Sequence, residues 1–248
     1  MDRHHDAARL LLSARRDPTQ RLHSLPDAMR PKTAAQAYLV QRAIMAELGA
    51  IGGWKVGSPR PDGDVFTCAP LPASGITASP ATSDAVLRGV EAELAIRLVR
   101  DLPAREEPYS EAEVMAAAGS LHPAIEVLDT RYVDADAQDP LSALADSLSH
   151  GGLVLGLAVP SWQGVDLAAE QVRLLVNGAE VKRGKGNPGG AIPRLLAWLA
   201  NEGARWAGGL QAGQVVTTGS WTGKDVVPPA GEARAVFTAC GEVVVRFG

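Results

Sequence analysis

The chain has 248 residues, of which 46% are hydrophobic and 21% charged, and it carries a net charge of −4. This balance is typical of globular proteins with a sizeable core, whereas binding to nucleic acid or to an anionic membrane surface would require a basic patch that the sequence lacks. The N-terminal apolar run is limited to Leu10–Leu12, and no stretch approaches the ~18 apolar residues of a membrane span. We therefore expect a cytoplasmic protein that binds neither nucleic acid nor membrane.

The predicted elements begin with two helices, over residues 7–16 and 34–48, which are rich in Ala, Leu, Gln and Glu. Thr33 is the predicted N-cap of the second helix, and Gly49 is its predicted stop. After Gly53, short Val, Ile and Leu runs separated by Gly, Pro and Asp are typical of strands. They predict strands over residues 54–56, 90–98, 124–128, 153–158, 172–176, 215–218 and 233–247.

Two further predicted helices, over residues 110–118 and 191–206, interrupt the strand-rich part of the chain. The first begins with Ser110 followed three residues later by Glu113, the spacing of a capping box. Helices come first in the chain, and the strands that follow show no regular βα alternation, so we predict an α+β fold. The segment 1–50 is the helical N-terminal part and 54–248 the β-rich core.

Three carboxylates are the first candidate site residues. In the stretch "GVEAELAI", residues 89–96, an alternation of period two places Glu91 and Glu93 on one face of a strand, which alone indicates a solvent-exposed face. Glu126 lies in a predicted strand with apolar residues on both faces, so its carboxylate must find a cation or change its protonation. An ion pair, for example with Arg131, or a strand-end position that reaches water is the structural alternative. Three carboxylates from two strands would form an oxygen-rich site suited to Mg²⁺ or Mn²⁺.

Lys55 and a hydroxyl-bearing turn are further candidates. Lys55 lies in "GGWKVG", where the glycines permit close approach of a ligand, and it is either a partly buried acid/base or anion-binding group or an exposed lysine. Ser220 and Thr222 in "GSWTG" could bind a substrate carboxylate or simply form a turn. The segment "VKRGKGNPGG", residues 181–190, lacks the ending of a P-loop and is interpreted as a loop.

Six segments in order carry a family resemblance: "GGWKVGSP", "GVEAELAIRL", "HPAIEVLDTRY", "LADSLSHGGLVLG", "LLAWLANEGARWAGGLQAGQVVTTGSWTG" and "GEVVVRFG". Together they resemble the 2-keto-4-pentenoate hydratase and 4-oxalocrotonate decarboxylase family of the fumarylacetoacetate hydrolase superfamily. The resemblance covers nearly the whole chain. It implies one catalytic domain over residues 1–248, a mixed β-roll with peripheral helices, and a homo-oligomer that acts on small 2-oxo or 2-hydroxydienoic acids.

The resemblance also implies roles for individual residues. Glu91, Glu93 and Glu126 match the family's metal ligands, which hold Mg²⁺ or Mn²⁺. Lys55 matches the lysine of its glycine-aromatic-lysine motif, and Ser149 matches the serine of its Asp-x-x-Ser stretch, a substrate-binding position.

The sequence departs from the family pattern after the lysine motif. The family places an acidic residue there in a longer segment, whereas this chain has the short stretch "SPRPDGDVFTCAPLPASG". Either Asp62 or Asp64 could be the catalytic acid/base partner, or neither of them.

The function implied by the resemblance is a metal-dependent hydratase of aromatic-compound catabolism, which adds water to a 2-hydroxy-2,4-dienoate and forms a 4-hydroxy-2-oxo acid. Decarboxylation of 4-oxalocrotonate and C–C hydrolysis of an acylpyruvate are alternatives within the same fold. A non-catalytic role is an alternative of a different class. Such a member would bind a metabolite or a partner enzyme, since hydratases and decarboxylases of this family associate.

Overall fold

Two mixed sheets organise the protein, whose computed structural model describes residues 2–248. The helices are α1 Arg3–Arg16, α2 Ala34–Leu48, α3 Glu111–Ala117, α4 Pro140–Ala145 and α5 Ile192–Trp198. The strands are β1 Ile51–Gly57, β2 Thr67–Pro72, β3 Ile76–Ala78, β4 Ala81–Ser83, β5 Gly89–Leu98, β6 Leu102–Pro103, β7 Ala118–Leu128, β8 His150–Leu155, β9 Gln171–Val176, β10 Ala179–Lys185, β11 Gly209–Leu210, β12 Val215–Thr217, β13 Asp225–Val226, β14 Glu232–Phe237 and β15 Gly241–Phe247.

The larger sheet has the order β2-β1-β12-β5-β7-β8-β3, and β13 also pairs with β5. Its β1–β12 and β3–β8 pairs are parallel, whereas the long central β5–β7 pair is antiparallel. The second sheet has the order β10-β9-β14-β15-β4, and a small ribbon joins β6 to β11. Few strands are followed by a helix that returns to the same sheet, so the α+β prediction is confirmed.

The main core contains the side chains of alternate residues from both sheets. Val90 and Leu94 of β5 are buried in one cluster with Leu174 of β9, Ala235 of β14 and Val243 of β15. Burial of each such Leu or Val side chain contributes about 1.5–3 kcal/mol. Period-two alternation therefore directs the odd-numbered residues of β5 to the opposite face of the larger sheet, where the candidate site lies.

The two N-terminal helices form where the sequence predicts them, and they pack against each other and against α4 in a second apolar cluster. The Thr33 hydroxyl accepts a hydrogen bond from the Gln36 backbone at 3.3 Å, and Gly49 ends α2 with a φ of +99° that favours glycine. The buried Gln41 side chain then ties α2 to the rest of the chain by donating to the Leu144 carbonyl at 2.6 Å. None of the helices among residues 2–248 is long and apolar enough to cross a membrane.

Several predicted boundaries are wrong by a few residues. The helix predicted over 191–206 ends at Trp198 and continues as a π-helical turn, Leu199–Gly203. The strand predicted over 153–158 ends at Leu155. The first half of the segment 181–190 is not a loop but belongs to β10, because it pairs with β9 across an Asn177-Gly178 hairpin turn.

A buried ion pair fixes the segment that leads into β8. Arg131 and Asp146 are 5% and 1% exposed, and the Arg131 guanidinium donates to the Asp146 carboxylate and to the His150 carbonyl. Burial raises the pKa of Asp146, while Arg131 and the Thr130 hydroxyl act in the opposite direction. Removal of one partner would leave an uncompensated buried charge.

We expect Arg131→Met to lower the free energy of unfolding by about 3–5 kcal/mol, because the Asp146 carboxylate would lose its partner. Urea unfolding followed by circular dichroism measures this loss. Arg246→Met is the matched control, because Arg246 pairs with Glu232 at the surface and such pairs contribute about 1 kcal/mol or less. Equal losses in the two variants would contradict the assigned role of the buried pair.

Candidate active site

Pairing of β5 with β7 brings three carboxylates together. Glu91 and Glu126 face each other in the antiparallel register, and Glu93 lies two residues further along β5 on the same face. One carboxylate oxygen from each residue lies within 4.8 Å of the other two. The three glutamates predicted as metal ligands from the sequence thus form one cluster that could hold a metal ion.

The protonation of this cluster reflects its burial. Burial, with the nearby Glu126 carboxylate, raises the pKa of Glu91, and the same effects raise the pKa of Glu93 well above its ordinary value. Burial would also raise the pKa of Glu126, but Lys55 and His150 outweigh it and hold that pKa low. Glu126 is therefore the carboxylate that stays ionised in the folded protein.

Two oxygens of the cluster lack hydrogen-bond partners. Glu93 and Glu126 are each 1% exposed, and the Oε2 atom of each is buried with no donor among the described residues. An unsatisfied buried acceptor costs about 1–3 kcal/mol, and more when it is charged. A hard divalent cation would satisfy both oxygens, so the donor set fits the predicted magnesium or manganese site.

Lys55 is the cation that lies beside the cluster. It is buried on β1, and its Nζ donates to Glu126 Oε1 at 2.7 Å and to the Leu148 carbonyl at 3.4 Å. Burial lowers the pKa of Lys55, but the Glu126, Glu91 and Glu93 carboxylates outweigh it and raise that pKa. The partner of Glu126 is therefore a protonated Lys55, and Arg131, the alternative considered from the sequence, pairs with Asp146 instead.

His150 contacts the same carboxylate and was missed by the sequence analysis. Its Nδ1 lies 2.8 Å from Glu126 Oε1, and the residue is 1% exposed. Burial, opposed by Glu126, lowers the pKa of His150, which favours the neutral ring. The contact arises from the pairing of β7 with β8, and nothing in the local sequence marks it.

The turn before β8 is strained. Ser147, Leu148 and Ser149 have φ values of 52°, 53° and 62°, so three consecutive residues other than glycine adopt the left-handed conformation. Each costs on the order of 1 kcal/mol. The turn is held by hydrogen bonds from Ser149 N–H to the Asp146 carbonyl and from Asp129 N–H to the Ser149 carbonyl. It places the Leu148 carbonyl beside Lys55 and Ser149 in the wall of the adjacent cavity.

A cavity of about 410 Å³ opens over the carboxylates. This is within the range of small-molecule sites. Its wall combines the acids and Lys55 with hydroxyls, a second lysine, an aspartate and apolar groups: Val56, Gly57, Thr67, Leu87, Leu128, Ala135, Asp136, Ala143, Leu148, Ser149, Gly219, Ser220 and Lys224. The arrangement can bind an acidic small molecule against a metal ion.

The other predicted site residues have different positions. Ser220 lines the cavity and accepts a hydrogen bond from the Gly223 backbone at 2.9 Å. Thr222 does not line it, because its hydroxyl accepts from the Ala92 backbone at 3.3 Å and so attaches the turn to β5. Its predicted substrate-binding role therefore has no supporting contact and stays a prediction.

The structure does not bring Asp62 or Asp64 to the carboxylate cluster. Both residues are exposed in the connection between β1 and β2, and neither lines the cavity. The predicted acid/base role thus has no supporting contact for either residue. The cavity wall offers Lys55 as the proton-carrying group nearest to the three carboxylates.

Comparison with known proteins identifies the family. Residues 72–247 match the model of the fumarylacetoacetate (FAA) hydrolase C-terminal family. The chain belongs to this family. All three carboxylates lie within the range of the family domain, whereas Lys55 and the N-terminal helices precede it.

Curated relatives are hydratases and a decarboxylase. The chain is 35% identical over 159 residues to 2-keto-4-pentenoate hydratase of Burkholderia vietnamiensis (strain G4 / LMG 22486), across 64% of this chain and 60% of the relative. It is 27% identical over 192 residues to 4-oxalocrotonate decarboxylase of Pseudomonas putida, across 75% of this chain and 65% of the relative. The matches with the first relatives thus span about 60% of their length.

A solved structure establishes the fold of the whole chain. The 4-oxalocrotonate decarboxylase from Pseudomonas putida G7, complexed with magnesium and adipate, superimposes with a TM-score of 0.82 at 23% identity. The superposition covers 99% of this chain and 97% of that chain. The predicted FAA hydrolase type of fold, with mixed strands and peripheral helices, is therefore confirmed.

We expect Glu93→Gln to stabilise the protein in EDTA by about 1 kcal/mol, because it removes a buried carboxylate with a raised pKa. Because the pKa of Glu93 is raised in the folded state, the wild type should become more stable as the pH falls through that pKa, and the variant should lose this pH dependence.

Thermal unfolding with and without Mg²⁺ also tests metal binding, since a ligand at 100 times its Kd adds about 2.7 kcal/mol to the free energy of unfolding. This Mg²⁺ stabilisation should disappear in Glu93→Gln and persist in the surface control Glu242→Gln.

We expect His150→Leu to weaken Mg²⁺ binding by about 10–100-fold, because Glu126 would lose the ring that orients it. His150→Asn retains a hydrogen-bonding group close to the Nδ1 position and should keep most of the affinity. Calorimetric titration of the metal-free proteins gives both values. Wild-type affinity in His150→Leu would show that the contact does not orient Glu126.

Proposed function

We propose that the protein is a divalent-metal-dependent hydratase that adds water to a 2-hydroxy-2,4-dienoate and forms a 4-hydroxy-2-oxo acid. The observation that carries the proposal is the cluster of Glu91, Glu93 and Glu126 beside the protonated Lys55 in the wall of the cavity. The 35% identity to a 2-keto-4-pentenoate hydratase supports the reaction type.

The metal would be Mg²⁺ or Mn²⁺, held by the three carboxylates. Their all-oxygen donor set is the one these cations prefer. The bound cation would supply positive charge next to the carboxylate and 2-oxygen of the substrate, where negative charge develops. Support for magnesium comes from the decarboxylase of the same fold that was solved with magnesium.

Lys55 would act as the proton donor. Its Nζ is buried and carries a proton, and it lies in the wall of the cavity. It could donate this proton to a carbon of the dienol substrate, a general acid step that contributes about 10²–10⁴-fold. The hydroxyls of Ser149 and Ser220 line the same cavity and could donate hydrogen bonds to the substrate carboxylate.

The chain would act as a single catalytic domain. Arg15 of α1 donates to the His150 carbonyl at 3.2 Å and to the Gly151 carbonyl at 3.3 Å. These hydrogen bonds fasten the N-terminal helix to the strand that supplies His150 to the metal ligand Glu126. The helical segment therefore contributes to the geometry of the site.

The proposal predicts that the protein consumes 2-hydroxypenta-2,4-dienoate in the presence of Mg²⁺, with loss of its ultraviolet absorbance and without CO₂ release. Glu126→Gln should abolish this activity through loss of the metal, and Lys55→Met should lower kcat by about 10²-fold or more through loss of the proton donor. Steady-state kinetics with Mg²⁺ or EDTA measures both effects.

Lys182→Met is the control for the lysine variant, because Lys182 is exposed on β10. It should retain wild-type kinetics. CO₂ release from 2-oxohex-3-enedioate with no hydration of either compound would instead identify a decarboxylase. Absence of any metal-dependent turnover would favour a non-catalytic metabolite-binding role.

A further inference from the structure

An ion pair at the cavity wall is not used by the proposed reaction. Lys224, between β12 and β13, places its Nζ 2.7 Å and 2.9 Å from the two carboxylate oxygens of Asp136, which lies between β7 and α4. Both residues line the cavity. The contact joins two loops that are 88 residues apart in the chain.

The cations available to a substrate in this cavity are few. Among the residues that the structure describes, Lys55 and Lys224 are the positively charged side chains in its wall. Lys55 is already bound to Glu126, one of the three predicted metal ligands. A second carboxylate on a substrate would therefore have Lys224 as its charged partner.

Asp136 already neutralises that partner. Its side chain is 81% exposed, and Lys224 is the cation with which it pairs. A substrate carboxylate brought to Lys224 would have to displace Asp136 or approach it closely, and like charges in close contact repel. The same cavity wall also contains the apolar side chains of Leu87, Leu128 and Ala135.

We propose that Asp136 makes the cavity selective for 2-oxo and 2-hydroxydienoic acids with a single carboxylate and an apolar tail, by masking Lys224. This inference rests on the proposed function, because it presumes a 2-oxo acid held at the carboxylate cluster. It assigns Asp136 as a specificity-determining residue that discriminates against dicarboxylates.

The test uses binding of two unreactive acids that differ only at the far end. 2-Oxohexanoate ends in a methyl group and 2-oxoadipate in a carboxylate. Calorimetric titration of the Mg²⁺-loaded protein should show wild type binding 2-oxohexanoate at least as tightly as 2-oxoadipate. Asp136→Asn should tighten 2-oxoadipate binding about fivefold and leave 2-oxohexanoate unchanged, which is the effect of one unmasked partly exposed cation.

A double variant identifies the cation responsible. In Asp136→Asn with Lys224→Met, the gain for 2-oxoadipate should disappear. Glu242→Gln is the matched control, because it removes one carboxylate from a surface ion pair with Arg234 that does not line the cavity. It should leave both affinities at their wild-type values.

Three results would overturn the inference: a wild-type preference for 2-oxoadipate, equal effects of Asp136→Asn on the two acids, or binding of neither acid. Equal tightening would mean that Lys224 binds the carboxylate that both acids share. The binding assay needs no turnover. A protein that discriminates between the two acids as expected but hydrates no dienoate would refute the proposed reaction and retain the inference about Asp136. An enzyme that hydrates the dienoate but does not discriminate between the two acids would support the proposed reaction and refute the inference.

Discussion

Electrostatic repulsion among three clustered carboxylates, two of them buried, is the constraint on which the rest of the structure depends. Glu91, Glu93 and Glu126 have oxygens within 4.8 Å of one another, with Glu93 and Glu126 buried and Glu91 partly exposed. Like charges at such distances strongly disfavour simultaneous ionisation. This arrangement lowers the stability of the folded protein at a position where a metal ion could bind. Such local losses of stability are common at functional sites.

The surrounding structure partly compensates this repulsion. Lys55 and His150 both contact the same oxygen of Glu126 and hold that residue ionised. The two contacts come from opposite sides, since β1 supplies the lysine and β8 supplies the histidine. Glu126 thereby differs in environment from Glu93, which keeps a raised pKa. One site thus holds an ionised carboxylate next to two whose pKa burial raises.

Support of the site extends to the N-terminal helices. Arg15 and Arg131 both donate to the His150 carbonyl, and Arg131 also pairs with the buried Asp146. Between Asp146 and His150 lies the left-handed turn that brings Ser149 into the cavity wall. Such a turn persists only where the surrounding contacts hold it. The helical segment, which precedes the matched family domain, is therefore part of the structural frame of the site.

The sequence by itself predicted the long helices and the main strands, together with three glutamates that the structure brings into one cluster. Two of the signals are local. The residues around Glu91 and Glu93 alternate with a period of two, and Glu126 is an acid within an apolar strand, so the position in the strand sets the face on which each side chain lies. Capping residues such as Thr33 likewise act over a few positions, so the limits of α2 were predicted correctly. The ends of short strands and of α5 were less accurate because pairing with distant partners sets them.

Only the tertiary structure decided which charges meet. The contacts of His150 with Glu126 and of Lys224 with Asp136 join residues 24 and 88 positions apart. No sequence spacing encodes them, because they depend on strand register and loop paths. The same reason separates Ser220, which reaches the cavity, from Thr222, Asp62 and Asp64, which do not. Residue types indicated an acid cluster that could hold a metal ion, and the packing of the sheet fixed its geometry.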